Sequence, residues 1–237
     1  MTLIFAHRGL HTSERENTLE AFRAAVALGV DGVELDVRRS ADGELVVHHD
    51  PGVAGRALSS TTVADLPRYI PTLAQALGAC AGLGVNVEIK NIQHPTESSY
   101  DATGEFARQV VDQLSQLGWA GSVVVSCFDL ATCRAVREAD PSLLVGWLLL
   151  PGTDVVARVA AARDDGFHAV HPYFRSVDRA AVEAAHALGL AVNVWTVNRT
   201  DDIAAMLGLG VDYLTSDDPA TALALVGRPS EGRWPMA

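Results

Sequence analysis

LIFAHRGLHTSERENTLEAFRAAVALGVDGVELDV, residues 3–37, joins two short apolar runs through a segment of helical period. Leu3 to Ala6 and Gly32 to Val37 are of strand length and apolar or β-branched. Between them, Thr18 to Leu28 sets Leu19, Phe22, Ala25, Val26 and Gly29 on one helical face, with Asn17 placed to cap the start. A strand, a helix and a second strand over this length read as a parallel crossover unit.

The alternation runs to the end of the chain. Further strand candidates are Val85 to Ile89, Ser122 to Ser126, Leu143 to Leu149, Ala169 to His171, Ala191 to Thr196 and Tyr213 to Thr215. Helical segments run from Gly104 to Leu117, Leu130 to Glu138, Val155 to Arg163, Arg179 to Leu188 and Asp201 to Leu207. Glycines 29, 118, 166, 189 and 210 stand where helices should end. Eight strands with helices between them make an α/β TIM (β/α)8 barrel, read as one domain over residues 1–237, whose chemistry belongs at the carboxyl ends of the strands.

With 49% hydrophobic and 20% charged residues the chain has enough apolar surface for a packed core. A net charge of -11 disfavours nucleic acid and stable association with anionic membranes, so an anionic ligand must meet a locally positive pocket. The apolar runs are too short to span a bilayer, and the start MTLIFAHRG lacks the pattern of a cleaved leader. Three cysteines with no CxxC pair suggest buried thiols in a reducing compartment, and the expected location is the cytoplasm. Nothing in the composition bears on oligomeric state.

Leu45 to His49 departs from the parallel scheme. It follows the second strand after Asp42-Gly43, a two-residue hairpin signal, and should run antiparallel to it. With Asp42-Gly43 as the turn, Asp36 stands opposite His49 on one face.

Glu34 and Asp36 are two apart at a strand end, so both carboxylates point the same way. Glu88 holds the matching place on the next barrel strand. An all-oxygen trio suits one hard divalent cation, Mg2+ or Ca2+. His7 ends the first strand and His49 returns to the same rim, a two-histidine pair for proton transfer beside a metal. Arg8 and Lys90 supply cations for a phosphate, and Trp195 with Asn198 could line the pocket for an organic group. An exposed hairpin face would account for Glu34 and Asp36 alone, and core packing for Trp195; the third carboxylate on another strand favours a site.

AHRG at 6–9, ENTLEAF at 16–22, VELDV at 33–37, LVVHHDP at 45–51, PTL at 71–73, VEIK at 87–90, SCFD at 126–129, HPY at 171–173, VWTVN at 194–198 and TSDDP at 215–219 occur in that order. The set resembles the glycerophosphodiester phosphodiesterase family over nearly the whole chain. The resemblance implies a TIM barrel with a small insertion after the second strand, here about residues 49–70. It implies a small-molecule glycerophosphodiester substrate, hydrolysed to sn-glycerol 3-phosphate and an alcohol, the glycerol 2-hydroxyl attacking phosphorus first. By position, Glu34, Asp36 and Glu88 correspond to metal ligands, His7 and His49 to the general acid and base, and Arg8 and Lys90 to phosphate ligands. Residues 11–15 and Cys127 depart from the usual pattern. Alternatives are a phosphodiesterase of the lysophospholipase D or sphingomyelinase D kind, and an inactive organophosphate-binding barrel.

Overall fold

The computed structural model describes residues 1–93, 99–119 and 123–227. Its strands are β1 (Leu3–His7), β2 (Gly32–Arg39), β3 (Leu45–Val47), β4 (Gly52–Val53), β5 (Arg56–Ala57), β6 (Gly84–Ile89), β7 (Val123–Cys127), β8 (Leu144–Leu149), β9 (Ala169–Pro172), β10 (Ala191–Val194) and β11 (Tyr213–Ser216). β1, β2 and β6 to β11 pair in parallel and close into an eight-stranded barrel through β1–β2 and β1–β11. The helices are α1 (Leu19–Leu28), α2 (Leu73–Ala79), α3 (Glu105–Gln116), α4 (Leu130–Ala139), α5 (Val155–Asp164), α6 (Arg179–Ala187), α7 (Thr200–Leu209) and α8 (Pro219–Val226). Among the described residues no helix is long and apolar enough to cross a membrane.

Each barrel strand splits its residues by period 2. Val33, Leu35 and Val37 of β2, Val85, Val87 and Ile89 of β6, and Val192 and Val194 of β10 pack in one apolar layer with Phe22, Leu77, Val110 and Ile203 of the helices. Their neighbours in sequence face the lumen. There Asn86, Glu88, His171, Asn193 and Thr215 line a cavity with Glu34. The β-branched residues so abundant in the strands therefore build the layer outside the barrel, and the lumen is unusually polar for its fold.

Two helices, α2 and α8, were not among the helical segments expected from periodicity, because both are short. Their caps are nonetheless written in the sequence. Thr72 and Gln75 form a reciprocal capping box at α2, and Asp218 caps α8 with Pro219 at its first turn. At α1 the cap is Thr18, whose hydroxyl accepts from the Ala21 N–H, rather than Asn17. Asn17 adopts a positive φ of 56° and sends its side chain to Asp36 instead. The buried face of α1 is also rotated from the expected one: Ala21, Phe22 and Ala25 are buried, whereas Val26 is 37% exposed. Glycines 29, 118, 166, 189 and 210 all take positive φ behind their helices, as expected. The expected strand start at Ser122 lies outside the described residues.

The β2–β3 hairpin differs in register from its sequence reading. Val37 pairs with Val47, Arg38 with Val46 and Arg39 with Leu45, a slip of one residue. The loop holds three residues, not two: the Ser40 N–H donates to Glu44 O, and Gly43 alone takes the left-handed conformation, at φ 81°. Asp36 thus stands opposite His48, whose N–H donates to Asp36 O at 2.9 Å. His49 reaches the rim because β3 stops at Val47 and the chain leaves the ladder there. The Arg38 guanidinium fixes that departure by donating from Nε to the His49 carbonyl at 2.8 Å. Beyond it, β4 and β5 form a small hairpin, and Val46, Leu58, Leu66 and Ile70 make a separate apolar cluster under the insertion.

Inside the lumen a Cβ on Gly146 would lie 2.2 Å from His171 Nε2. Only glycine leaves room for the ring. Gly146→Ala is expected to destabilise the protein by about 1–3 kcal/mol through overpacking. Urea unfolding of the two proteins measures this, and equal midpoints would show that the ring can move aside.

Candidate active site

β1 ends at His7, and the chain then turns through Arg8 and Gly9, both at positive φ. That turn aims the Arg8 N–H at Glu34 Oε2, 3.0 Å away. The Arg8 side chain folds back to Glu16, with Nη1 at 2.9 and 3.0 Å from its two oxygens, and to Asp36, with Nε at 3.2 Å from Oδ2. Lys90, just beyond β6, donates to Glu88 Oε1 at 2.7 Å and stands 3.4 Å from Asp36 Oδ1. Asn17 completes the shell by donating to Asp36 Oδ2 at 2.7 Å.

Glu34, Asp36 and Glu88 each bring a carboxylate oxygen to within 4.8 Å of the others. Burial, and then repulsion from Asp36 and Glu88, raises the Glu34 carboxyl well above its ordinary range. For Asp36, burial opposes the charge, but Lys90 and Arg8 more than offset it and hold the carboxyl below its usual value. Glu34 Oε1 and Asp36 Oδ1 are buried without a hydrogen-bond partner. Two orphaned oxygens in an all-oxygen trio are the donor set that a hard divalent cation fits.

Both expected histidines border the same cavity as Glu34 and Glu88. His7 Nδ1 lies 2.6 Å from Asp217 Oδ1, and His49 Nδ1 lies 2.8 Å from Asp50 Oδ1. An ionised carboxylate only accepts, so each Nδ1 donates to its carboxylate. His7 Nε2 is 3.8 Å from Glu34 Oε2. Trp195 forms a wall: its Nε1–H donates to the His171 carbonyl at 2.7 Å, and its ring meets Phe128 edge-on at 5.5 Å. The cavity, about 200 Å³, therefore has a charged end and an apolar side. Of the nine residues singled out from the sequence, seven line this cavity and Asp36 lies in contact with Arg8 and Lys90 among them; Asn198 is not among the lining residues and bonds Asp217 instead.

Known proteins match this chain over nearly its whole length. Residues 7–221 match the model of the glycerophosphoryl diester phosphodiesterase family. The chain belongs to this family. It is a phosphoric diester hydrolase acting on small-molecule glycerophosphodiesters. A glycerophosphodiester phosphodiesterase of Caldanaerobacter subterraneus subsp. tengcongensis is 29% identical over 95% of this chain and 98% of its own length. The crystal structure of a glycerophosphodiester phosphodiesterase from Parabacteroides distasonis is 25% identical, with a TM-score of 0.83 over 96% of this chain and 98% of that one. An Oleispira antarctica phosphodiesterase, solved with its product sn-glycerol-3-phosphate, shares the fold at a TM-score of 0.85 and 22% identity, over 96% and 98% of the two chains.

Several residues in and beside this cavity were not singled out from the sequence. Asp217 and His171 lay inside quoted motifs, TSDDP and HPY, but without a role. Asp217 had a usable signal, a carboxylate at the end of β11. His171 had none, since a histidine in an apolar strand reads equally as core. Thr215 Oγ1 donates to Asn193 Oδ1 at 3.2 Å, which leaves the Asn193 amide to donate to His171 Nδ1 at 3.4 Å. His171 is thus a neutral ring, and burial pushes it down to about 3.

That depression has a definite sign in stability. The unfolded chain protonates this ring near 6.5, whereas the folded chain does not until about 3. Stability complete above 6.5 is lost as pH falls, by about 1.4 kcal/mol per unit from this group. Urea-unfolding free energies between about pH 6 and 4 should decline less steeply in His171→Asn by that one-proton increment. Parallel slopes in the two proteins would contradict a neutral buried ring.

Proposed function

We propose that this phosphodiesterase is metal-dependent, with Glu34, Asp36 and Glu88 holding one Mg2+ or Ca2+, His7 and His49 as the general acid and base, and Arg8 and Lys90 binding the phosphate. One domain over residues 1–237 carries the site. The observation that carries this reading is the pair of orphaned buried oxygens, Glu34 Oε1 and Asp36 Oδ1, between two histidines whose Nδ1 atoms are held by carboxylates.

When bound, the cation supplies charge to a phosphoryl oxygen and lowers the pKa of the attacking hydroxyl. The rest belongs to the chain's own groups. Asp217 and Asp50 keep the two imidazoles in the Nε2-basic tautomer, so one can take the proton of the attacking hydroxyl while the other, protonated, returns one to the leaving alcohol. Arg8 and Lys90 are already engaged with carboxylates and so are held in place before substrate arrives. Trp195 and Phe128 exclude water from one side and face the organic portion of the diester. The product on this reading is sn-glycerol 3-phosphate.

An apolar groove beside the cavity favours a second reading, release of an acylated alcohol in the manner of a lysophospholipase D. Phe128 and Leu148 are shared by both spaces, and the groove continues over Trp147, Leu149 and Leu150, the last 55% exposed. Turnover of lysophospholipid with none of glycerophosphocholine would select this second reading.

The test is a panel of glycerophosphodiesters coupled to sn-glycerol 3-phosphate detection, run on chelated enzyme with Mg2+ or Ca2+ restored. Glu34→Ala and Glu88→Ala should lose metal-dependent turnover. His7→Ala and His49→Ala should fall by roughly 10²–10⁴-fold while still binding metal. Full activity in His49→Ala would remove that residue from proton transfer, and full activity after chelation would remove the metal.

A further inference from the structure

Asp217 serves more than His7. Its Oδ1 also lies 3.1 Å from His11 Nε2, so two imidazoles converge on one carboxylate oxygen. The ligating atoms of His7, His11 and Asp217 all fall within 4.8 Å of one another, and all three residues are half-buried. The other oxygen of Asp217 is tied down: Asn198 Nδ2 donates to Oδ2 at 2.6 Å, and the Asp217 N–H donates to Asn198 Oδ1 at 2.9 Å. Asn198 thus stands to Asp217 as an outer partner stands to a ligating carboxylate, fixing it from behind while one oxygen faces the two imidazoles. His11 has no part in the hydrolysis argued above.

We propose that His7 Nδ1, His11 Nε2 and Asp217 Oδ1 form a second, inhibitory metal site that takes Zn2+ or a similar transition-metal ion. The donor chemistry separates it from the neighbouring trio. Two imidazoles and one carboxylate suit zinc in a tetrahedral site with one position left for water, whereas three carboxylates suit Mg2+ or Ca2+. An ion about 2.0–2.2 Å from each donor sets tetrahedral neighbours roughly 3.4 Å apart, so His7 and His11 need only back away slightly from Asp217, from 2.6 and 3.1 Å, as coordination replaces hydrogen bonds that already converge.

The consequence follows from the one ring common to both sites. His7 faces Asp217 with Nδ1 and Glu34 with Nε2. An ion on Nδ1 takes the lone pair there, and the ring's remaining proton sits on Nε2. That nitrogen can no longer accept a proton. Zinc at this site therefore blocks His7 without displacing the hydrolytic cation. The inhibitory effect, though not the binding, rests on the proton-transfer role proposed for His7.

The binding is tested apart from activity. Chelated enzyme saturated with Mg2+ is titrated with Co2+, a spectroscopic stand-in for zinc, and separately with Zn2+ by equilibrium dialysis. A visible band of tetrahedral Co2+ and one tightly held Zn2+ are expected. His11→Ala and the closer-shaped His11→Gln should both lose the band and bind Zn2+ at least about 10-fold more weakly. Thermal unfolding confirms that both variants are folded. With glycerophosphodiester and Mg2+, added Zn2+ should inhibit the parent, and His11→Ala should need at least about 10-fold more. If the His11 variants bind and respond to Zn2+ as the parent does, or if excess Mg2+ fully reverses inhibition, zinc is acting at the carboxylate trio and the second site is refuted. Zinc binding that depends on His11 without inhibition would uphold the site and overturn the role of His7.

Discussion

Three carboxylates confined near one buried point govern the upper half of this barrel. Two unit charges 4 Å apart repel by about 4 kcal/mol at an effective dielectric of 20, so Glu34, Asp36 and Glu88 cannot all remain ionised there without compensation. The chain spends its β1–α1 loop on that problem. Arg8 and Asn17 both accept a left-handed backbone, and each delivers a donor to Glu34 or Asp36 in return. Lys90 stands on the other side between Asp36 and Glu88. What these groups leave unsatisfied, Glu34 Oε1 and Asp36 Oδ1, is the part of the balance that a divalent cation would complete. With a divalent cation held by the trio, Arg8, Lys90 and the ion would outweigh the three carboxylates by one charge, so a chain of net charge -11 could still offer a locally positive point to an anionic ligand.

Below the carboxylates the lumen obeys a second constraint. Parallel barrel strands covered by helices bury both faces, so polar lumen residues must satisfy one another. Ser126 donates to Asn86 Oδ1 at 2.8 Å, and Thr215, Asn193 and His171 form a chain across three strands. Gly146 yields its side-chain space to the His171 ring. This polar floor is what keeps the cavity from closing into the packed aliphatic layers typical of the fold.

The eight strands and six of the helices were legible because period and spacing are local properties. The layer outside the barrel prints itself as Val-x-Val-x-Ile runs, and glycines mark most of the helix ends. The trio of carboxylates was legible for the same reason, since Glu34 and Asp36 share one face of β2 and Asp36 stands in register with Glu88 of the adjacent β6. The hairpin register was not. Asp42-Gly43 suits either a two-residue turn or the last two places of a three-residue loop, and only the Ser40–Glu44 pairing decides between them. His49 was therefore expected at the rim on a register the protein does not use. The loop partners were less legible still. Asn17 looked like a cap because capping and reaching a distant carboxylate demand the same side chain, and His11 and Asp217 are separated by over two hundred residues.

The two histidines are consequently not equivalent parts. His7 sits on a barrel strand, and its Asp217 comes from just past β11, the strand that pairs with β1 to close the barrel. Moving that pair means opening the barrel. His49 and Asp50 are neighbours in an irregular segment beyond β3, anchored by one hydrogen bond from Arg38 and by the small cluster beneath the insertion. Their geometry depends on residues 49–70 and not on barrel closure. The fold thus makes the carboxylates, His7, Arg8 and Lys90 its rigid part. It leaves His49 to be positioned by the insertion, whose length and composition can change without disturbing the trio.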